Sequence, residues 1–184
     1  LPFKAAPEDN FTLVVLLDAS GSMNDETAPG RTKIAEAQDA LRSLVGAARD
    51  NTTFAFAAFS SEARWIHPPT SDRTALLRAI DGVGAHNATK ILPALELAKK
   101  AVAGASKAHV VLVTDGQTPE APEALLTAAE ALRAANATLS AIAILQSDEP
   151  NPALLDRLAP PGAYRLAKIA DLAKILRDDL AKEQ

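Results

Sequence analysis

Asp18-Ala19-Ser20-Gly21-Ser22-Met23 follows directly on the apolar run Phe11 to Leu17, and the abrupt change there from hydrocarbon to oxygen-bearing side chains organises the rest of the chain. An extended backbone sends alternate side chains to one side, so Asp18, Ser20 and Ser22 are expected to offer three oxygens to a common point, with Gly21 letting the chain bend. Oxygens of this kind suit a hard cation. The run before them, interrupted only by Thr12, has the character of a strand covered on both faces in a parallel sheet.

Moving outward, Leu1 to Asn10 is polar and proline-bearing and is expected to be a lead-in linker, with residues 11–184 forming a single domain. Asn24, Asp25, Glu26, Pro29 and Gly30 make a polar connection to a helix marked by Ile34, Ala37, Leu41, Leu44, Val45 and Ala48, with Thr32 as its N-cap. Thr53 to Phe59 is a second apolar strand. Ala63 to Ile66 follows too soon for a parallel crossover, so it should run antiparallel at the sheet edge, closed by His67-Pro68-Pro69. A short helix spans Arg73 to Ile80, and a loop runs from Gly82 to Ala88.

Ile91, Leu95, Ala98 and Val102 then recur at helical spacing, and His109 to Thr114 is an apolar strand ending at Asp115-Gly116. A helix from Pro122 to Ala135, a strand from Thr138 to Leu145, a short helix near Ala153 to Leu158, a weak strand around Tyr164 and a last helix with Ile169, Leu172, Ile175 and Leu176 complete the order. Alternating strands and helices predict a three-layer, doubly wound α/β domain with a mostly parallel sheet and one antiparallel edge strand.

The 184 residues are 48% apolar and 23% charged, ordinary for a globular chain able to bury a core. A net charge of -4 with interspersed signs gives no nucleic-acid footprint. The absence of cysteine removes disulfides, thiolate catalysis and Cys-ligated zinc. No apolar run approaches the roughly 18–20 residues of a spanning helix, so no membrane insertion by this chain is expected. No signal peptide is visible, and a first residue of Leu1 rather than Met leads to the expectation of a piece of a larger protein.

Parallel strands end on one rim, and ligands sit there where strand order reverses. If the first strand and the His109 strand are neighbours across that reversal, Asp18 and Asp115 face each other. The loop before the Ile91 helix begins on the same rim and brings Thr89. Two carboxylates and three hydroxyls then converge from three loops. Each has a plainer role: Asp115-Gly116 as a turn, Thr89 as a helix N-cap, and Ser20 and Ser22 as turn residues. His67, His86 and His109 are too dispersed for a ligand cluster. Trp65 is expected to pack under a helix rather than anchor a partner. Met23 either covers the rim or fills the core. Asp25, Glu26, Glu120, Asp148 and Glu149 are expected on the same rim as solvated or helix-start acids.

The set Asp18, Ser20, Ser22, Thr89 and Asp115 resembles the von Willebrand factor type A domain with its metal-ion-dependent adhesion site, D-x-S-x-S followed by a threonine before a helix and an aspartate ending a strand. The order of strands and helices is similar along nearly the whole chain, and Val113-Thr114-Asp115-Gly116 and Leu95-Glu96-Leu97-Ala98 look typical of bacterial members. The chain departs from the family around Thr89, where Ala88 and Lys90 stand in place of a glycine and an acidic or amide residue. An inward ammonium from Lys90 would oppose a cation.

The resemblance implies a protein-binding module rather than an enzyme. Mg²⁺, with Mn²⁺ or Ca²⁺ as substitutes, would be held by the five residues with a position left open for an Asp or Glu carboxylate of a protein partner. Two other readings stand beside it: a scaffold of the same family with an empty site, and a magnesium-dependent phosphoryl-transfer enzyme using a strand-end Asp as nucleophile. The chain lacks the G-x-x-x-x-G-K-[ST] phosphate loop. Composition leaves the compartment open, and similar bacterial domains in larger membrane-associated proteins point to a cell-envelope setting.

Overall fold

A computed structural model of the chain describes residues 10–86, 88–115, 118–144, 152–166 and 168–184. The expected linker therefore lies outside the described residues, apart from Asn10.

Eight residues, Phe11–Asp18, form β1, and every one of them is buried. A 3₁₀ turn (Gly21–Asn24) leads to a small hairpin, β2 (Glu26–Ala28) and β3 (Arg31–Thr32). The hairpin was not anticipated from the polar connection. Its signal was Pro29-Gly30, the central pair of a turn that needs positive φ at its second residue, and Gly30 has φ 73°. Helix α1 (Lys33–Ala47) is capped as expected, the Thr32 hydroxyl accepting from Ala35 N–H at 3.3 Å.

The chain continues through β4 (Thr52–Phe59), β5 (Ala63–Thr70), α2 (Arg73–Asp81), α3 (Leu92–Val102), β6 (Lys107–Thr114) and α4 (Pro122–Ala134). It ends with β7 (Ala137–Ile144), α5 (Pro152–Leu158), β8 (Ala163–Leu166), a 3₁₀ turn (Ile169–Asp171) and α6 (Leu172–Glu183). After α3 and α4 the chain turns through Gly104 (φ 80°) and Asn136 (φ 60°), the two residue types that adopt the left-handed conformation most readily after a helix.

The main sheet has the order β5-β4-β1-β6-β7-β8 and is parallel except for the antiparallel β4–β5 pair. This is the expected α/β architecture. The edge strand is longer than the sequence suggested: β5 runs through Pro68 and Pro69 instead of stopping before them. Proline lacks only an N–H, which an edge strand need not donate, and register shifts opposite Phe54–Phe56 and Phe56–Ala57 absorb the mismatch.

Alternate residues of β1 feed the two layers. Leu13, Val15 and Leu17 pack with Leu41, Leu44, Leu76, Ile80, Leu172 and Leu176, so α1, α2 and α6 cover one face. Val14 and Leu16 pack with Leu95, Leu125, Leu132 and Leu155, placing α3, α4 and α5 on the other. Trp65 is half-buried against this second cluster, and Met23 is fully buried in the first, so it fills core. No helix among the described residues is long and apolar enough to cross a membrane.

Candidate functional site

The chain leaves β1 through α1 to pair with β4 on one side, and β6 later takes the other side. Strand order reverses between β1 and β6, which are in register from Phe11–Lys107 to Leu17–Val113. Asp18 and Asp115 therefore emerge side by side at the rim where ligands of such sheets sit. The Thr114 hydroxyl, one residue earlier, donates to Asp18 Oδ2 at 2.8 Å, and Asp115 N–H points at the same oxygen from 3.4 Å.

The two serines reach the site by a different route from strand alternation. Ser20 is extended (φ -68°, ψ 165°), and the 3₁₀ turn beginning at Gly21 folds Ser22 back, leaving the two hydroxyl oxygens 3.1 Å apart. Ser22 Oγ donates to Asp115 Oδ1 at 2.9 Å. Asp18 fixes the turn from behind, its Oδ1 accepting from Ser20 N–H at 2.8 Å. Ser20, Ser22 and Asp115 thus form one contiguous row of oxygens, with Asp18 supporting both its ends.

Thr89 is half-buried on the loop between α2 and α3, and no hydrogen bond joins it to this row among the described residues. The loop itself is tethered at three points: His86 N–H to Ala19 O at 2.7 Å, Lys90 N–H to Ser60 O at 2.8 Å, and Asn24 Nδ2 to Ala85 O at 3.2 Å. Thr89 does not cap α3. Glu120, arriving from the segment after β6, accepts from Ile91 and Leu92 N–H, the latter at 3.0 Å, and receives the Thr118 hydroxyl at 2.7 Å. A carboxylate at a helix start satisfies orphan donors and meets the positive end of the dipole. Glu120→Ala is expected to lower stability by about 1–2 kcal/mol in urea unfolding, with Glu120→Gln intermediate.

Lys90 is exposed, and among the described residues no ion pair joins its ammonium to Asp18 or Asp115. A cation that is so joined is Lys33, the first residue of α1, with only 9% of its surface exposed. Its Nζ lies 3.2 Å from Asp115 Oδ2 and 3.3 Å from Asp25 Oδ2. Sequence reasoning passed over Lys33 because its partner lies 82 positions away, and only the β1–β6 adjacency reveals it. Of the other rim acids, Glu26 opens the exposed β2, while Asp148 and Glu149 lie outside the described residues.

Asp18 is wholly buried. Burial pushes its carboxyl above the usual aspartate range and the neighbouring Asp115 adds to the rise, while the hydrogen bonds from Ser20 and Thr114 oppose it. Positive charge at this point would relieve both effects. Among the described residues no three His, Asp or Glu side chains converge as a metal cluster, so any cation here would depend on hydroxyl donors. The donor spacing fits such an ion. Oxygens bound at roughly 2.1 Å in an octahedron sit roughly 3.0 Å apart along each edge, and the Ser20–Ser22 and Ser22–Asp115 separations are 3.1 Å and 2.9 Å. Beside the row, a cleft of about 530 Å³ opens between β4, β5 and α2, lined by Ala19, Phe59, Ser60, Trp65, Val83 and His86 among others.

Comparison with known proteins supports the resemblance carried by these residues. A von Willebrand factor type A domain from Catenulispora acidiphila superposes with a TM-score of 0.82 at 25% identity, covering 95% of this chain and 42% of that one. BatB from Bacteroides thetaiotaomicron gives 0.75 at 18% identity, covering 94% of this chain and 98% of that one. Proximal thread matrix protein 1 from the mussel byssus, in a structure with a zinc-occupied MIDAS motif, gives 0.76 at 22% identity over 92% of this chain and 44% of that one. The chain thus spans less than half of the first and third of these proteins. No curated protein gives a significant match. The family model of the von Willebrand factor type A domain matches residues 13–117, more than half of the chain, and the chain belongs to that family.

Proposed function

We propose that this domain is a metal-dependent protein-binding module, in which Asp18, Ser20, Ser22, Thr89 and Asp115 hold a divalent cation, preferentially Mg²⁺, at the C-terminal rim of the sheet. The observation that carries the reading is the convergence of the Ser20, Ser22 and Asp115 oxygens, from two separate loops, into one row at the rim of the sheet. A bound cation would supply an open coordination position for a carboxylate from a protein partner. The chain's own residues divide the remaining work. Ser20, Ser22 and Asp115 present donors, Asp18 orients the turn and the end of β6, and Glu120 with the His86 and Lys90 amides fixes the loop that brings Thr89. Residues flanking the captured acid would lie over the cleft beside Ala19.

An enzymatic role is less well supported. Both oxygens of the Asp18 carboxylate accept hydrogen bonds and the residue is fully buried, which is poor geometry for a nucleophile. The Lys33–Asp115 ion pair favours a second reading, a scaffold of this family that works without metal.

Thermal unfolding in Mg²⁺ or Mn²⁺ against chelator tests the first reading. At about 100 times the dissociation constant the ion adds roughly 2.7 kcal/mol and raises the midpoint. Asp18→Ala is expected to abolish the rise. A midpoint indifferent to both ions in the wild type would leave the metal-free scaffold.

A further inference from the structure

Lys33 opens a helix at the protein surface, where a lysine ordinarily extends into water, yet its side chain is 11% exposed and turned into the rim. The carboxylate it meets, that of Asp115, is 0% exposed and meets two side chains among those described. Oδ1 accepts from Ser22 Oγ at 2.9 Å and Oδ2 receives the ammonium at 3.2 Å. One buried acid therefore serves the oxygen row with one atom and a fixed positive charge with the other. Asp25, the second partner of Lys33, is 60% exposed and shares its charge with solvent, so the ammonium's buried counter-charge comes from Asp115.

We propose that Lys33 is a tethered counter-cation of the candidate metal centre: it neutralises Asp115 when the site is empty and, by sharing that carboxylate with an incoming divalent ion, sets the metal affinity low. The inference rests on the metal-binding reading above and adds the regulation of that site. Two buried carboxylates side by side, with no positive charge near, would bear the full desolvation and repulsion of the apo state. Lys33 removes that cost. The same charge then opposes a divalent ion a few ångströms away, because repulsion across so short a distance is weakly screened. An outside carboxylate joining the ion restores the balance, so the site favours metal and acidic partner together over metal alone. A lysine that merely fastened α1 to the sheet would leave metal affinity unchanged.

The experiment measures Mn²⁺ binding by titration calorimetry, and the melting midpoint in Mn²⁺ against chelator, for the wild-type chain, Lys33→Met and Lys33→Arg. Methionine keeps an unbranched stem and removes the charge. Lys33→Met is expected to melt lower than wild type in chelator, to bind Mn²⁺ at least about tenfold tighter, and to show the larger metal-induced rise. Lys33→Arg, which keeps the charge, gains no affinity. If Lys33→Met folds poorly, Lys33→Gln carries the same expectation. Wild type binding Mn²⁺ with Lys33→Met no tighter overturns the proposal and leaves the metal centre standing. Binding by neither protein overturns both. Binding by the uncharged variant alone overturns the metal-binding reading of the wild-type domain and, with it, the proposal that Lys33 and the ion share Asp115.

Discussion

Replacing Asp179 by alanine is expected to lower the free energy of unfolding by about 3–5 kcal/mol, the range for removing one member of a buried charged or hydrogen-bonded group. Asp179 lies on α6 and is 3% exposed. Its carboxylate ties the helix to three strands, pairing with His109 Nε2 at 2.7 Å, Ser140 Oγ at 2.8 Å and Tyr164 OH at 2.8 Å. Truncation leaves all three groups without this acceptor, two of them, His109 and Ser140, being buried. Urea unfolding monitored by circular dichroism gives the number, and a loss below about 1 kcal/mol would show that the network relaxes without penalty.

The same residue predicts a pH dependence. Burial would raise the Asp179 carboxyl, but the hydrogen bonds from His109, Tyr164 and Ser140 and the charge of His109 outweigh it and hold the group below the usual aspartate value. A carboxyl depressed in the folded state stabilises above its unfolded value, about 3.9, and loses that contribution as pH falls through the folded one. The stability gap between wild type and Asp179→Asn should therefore be full at neutral pH and close below about pH 4. A gap that stays constant down to about pH 2 would contradict the assignment.

Phe56→Ala is expected to cost about 3–5 kcal/mol, the range for emptying a buried aromatic site. Phe56 and Phe54 point to the same face of β4, both fully buried, with ring centroids 5.8 Å apart and planes at 86°. The edge-to-face contact adds to the area lost. Phe54 is in turn covered by the Arg73 guanidinium 5.5 Å from its centroid, and that guanidinium also bonds the Ala48 carbonyl at 2.7 Å. The cavity is thus walled by groups with commitments of their own and should collapse poorly. Thermal or urea unfolding checks the magnitude. Amide protection at Ala19, whose N–H donates to Phe59 O at 2.8 Å, shows whether the rim follows the core.

What could be read from the sequence depended on how local the signal was. The strand Phe11–Asp18, the antiparallel return of β5 and the periodic faces of α1 and α3 are visible as runs and spacings a few residues long. The adjacency of Asp18 and Asp115 was legible because one topological rule, the reversal of strand order, turns a sequence pattern into proximity. Lys33 and Asp179 were missed for the opposite reason. Each acts on a partner from another element, and a lone lysine at a helix start or a lone aspartate in a last helix looks like solvated surface until the packing is known. The two serine hydroxyls do lie together, but a 3₁₀ turn rather than a straight strand brings them there.

The placement of β1 between β4 and β6 has a consequence for how any ligand is met. Asp18 and Asp115 hang from strands bonded on both flanks, so the floor of the site yields only when the middle of the sheet comes apart. The β2–β3 hairpin, exposed and only three and two residues long, lies outside that sheet and is tied to α1 by the Arg31 ion pairs with Glu36 and Asp39. The base of the rim is thus held by the backbone ladder of the sheet itself, and the hairpin by side chains of α1.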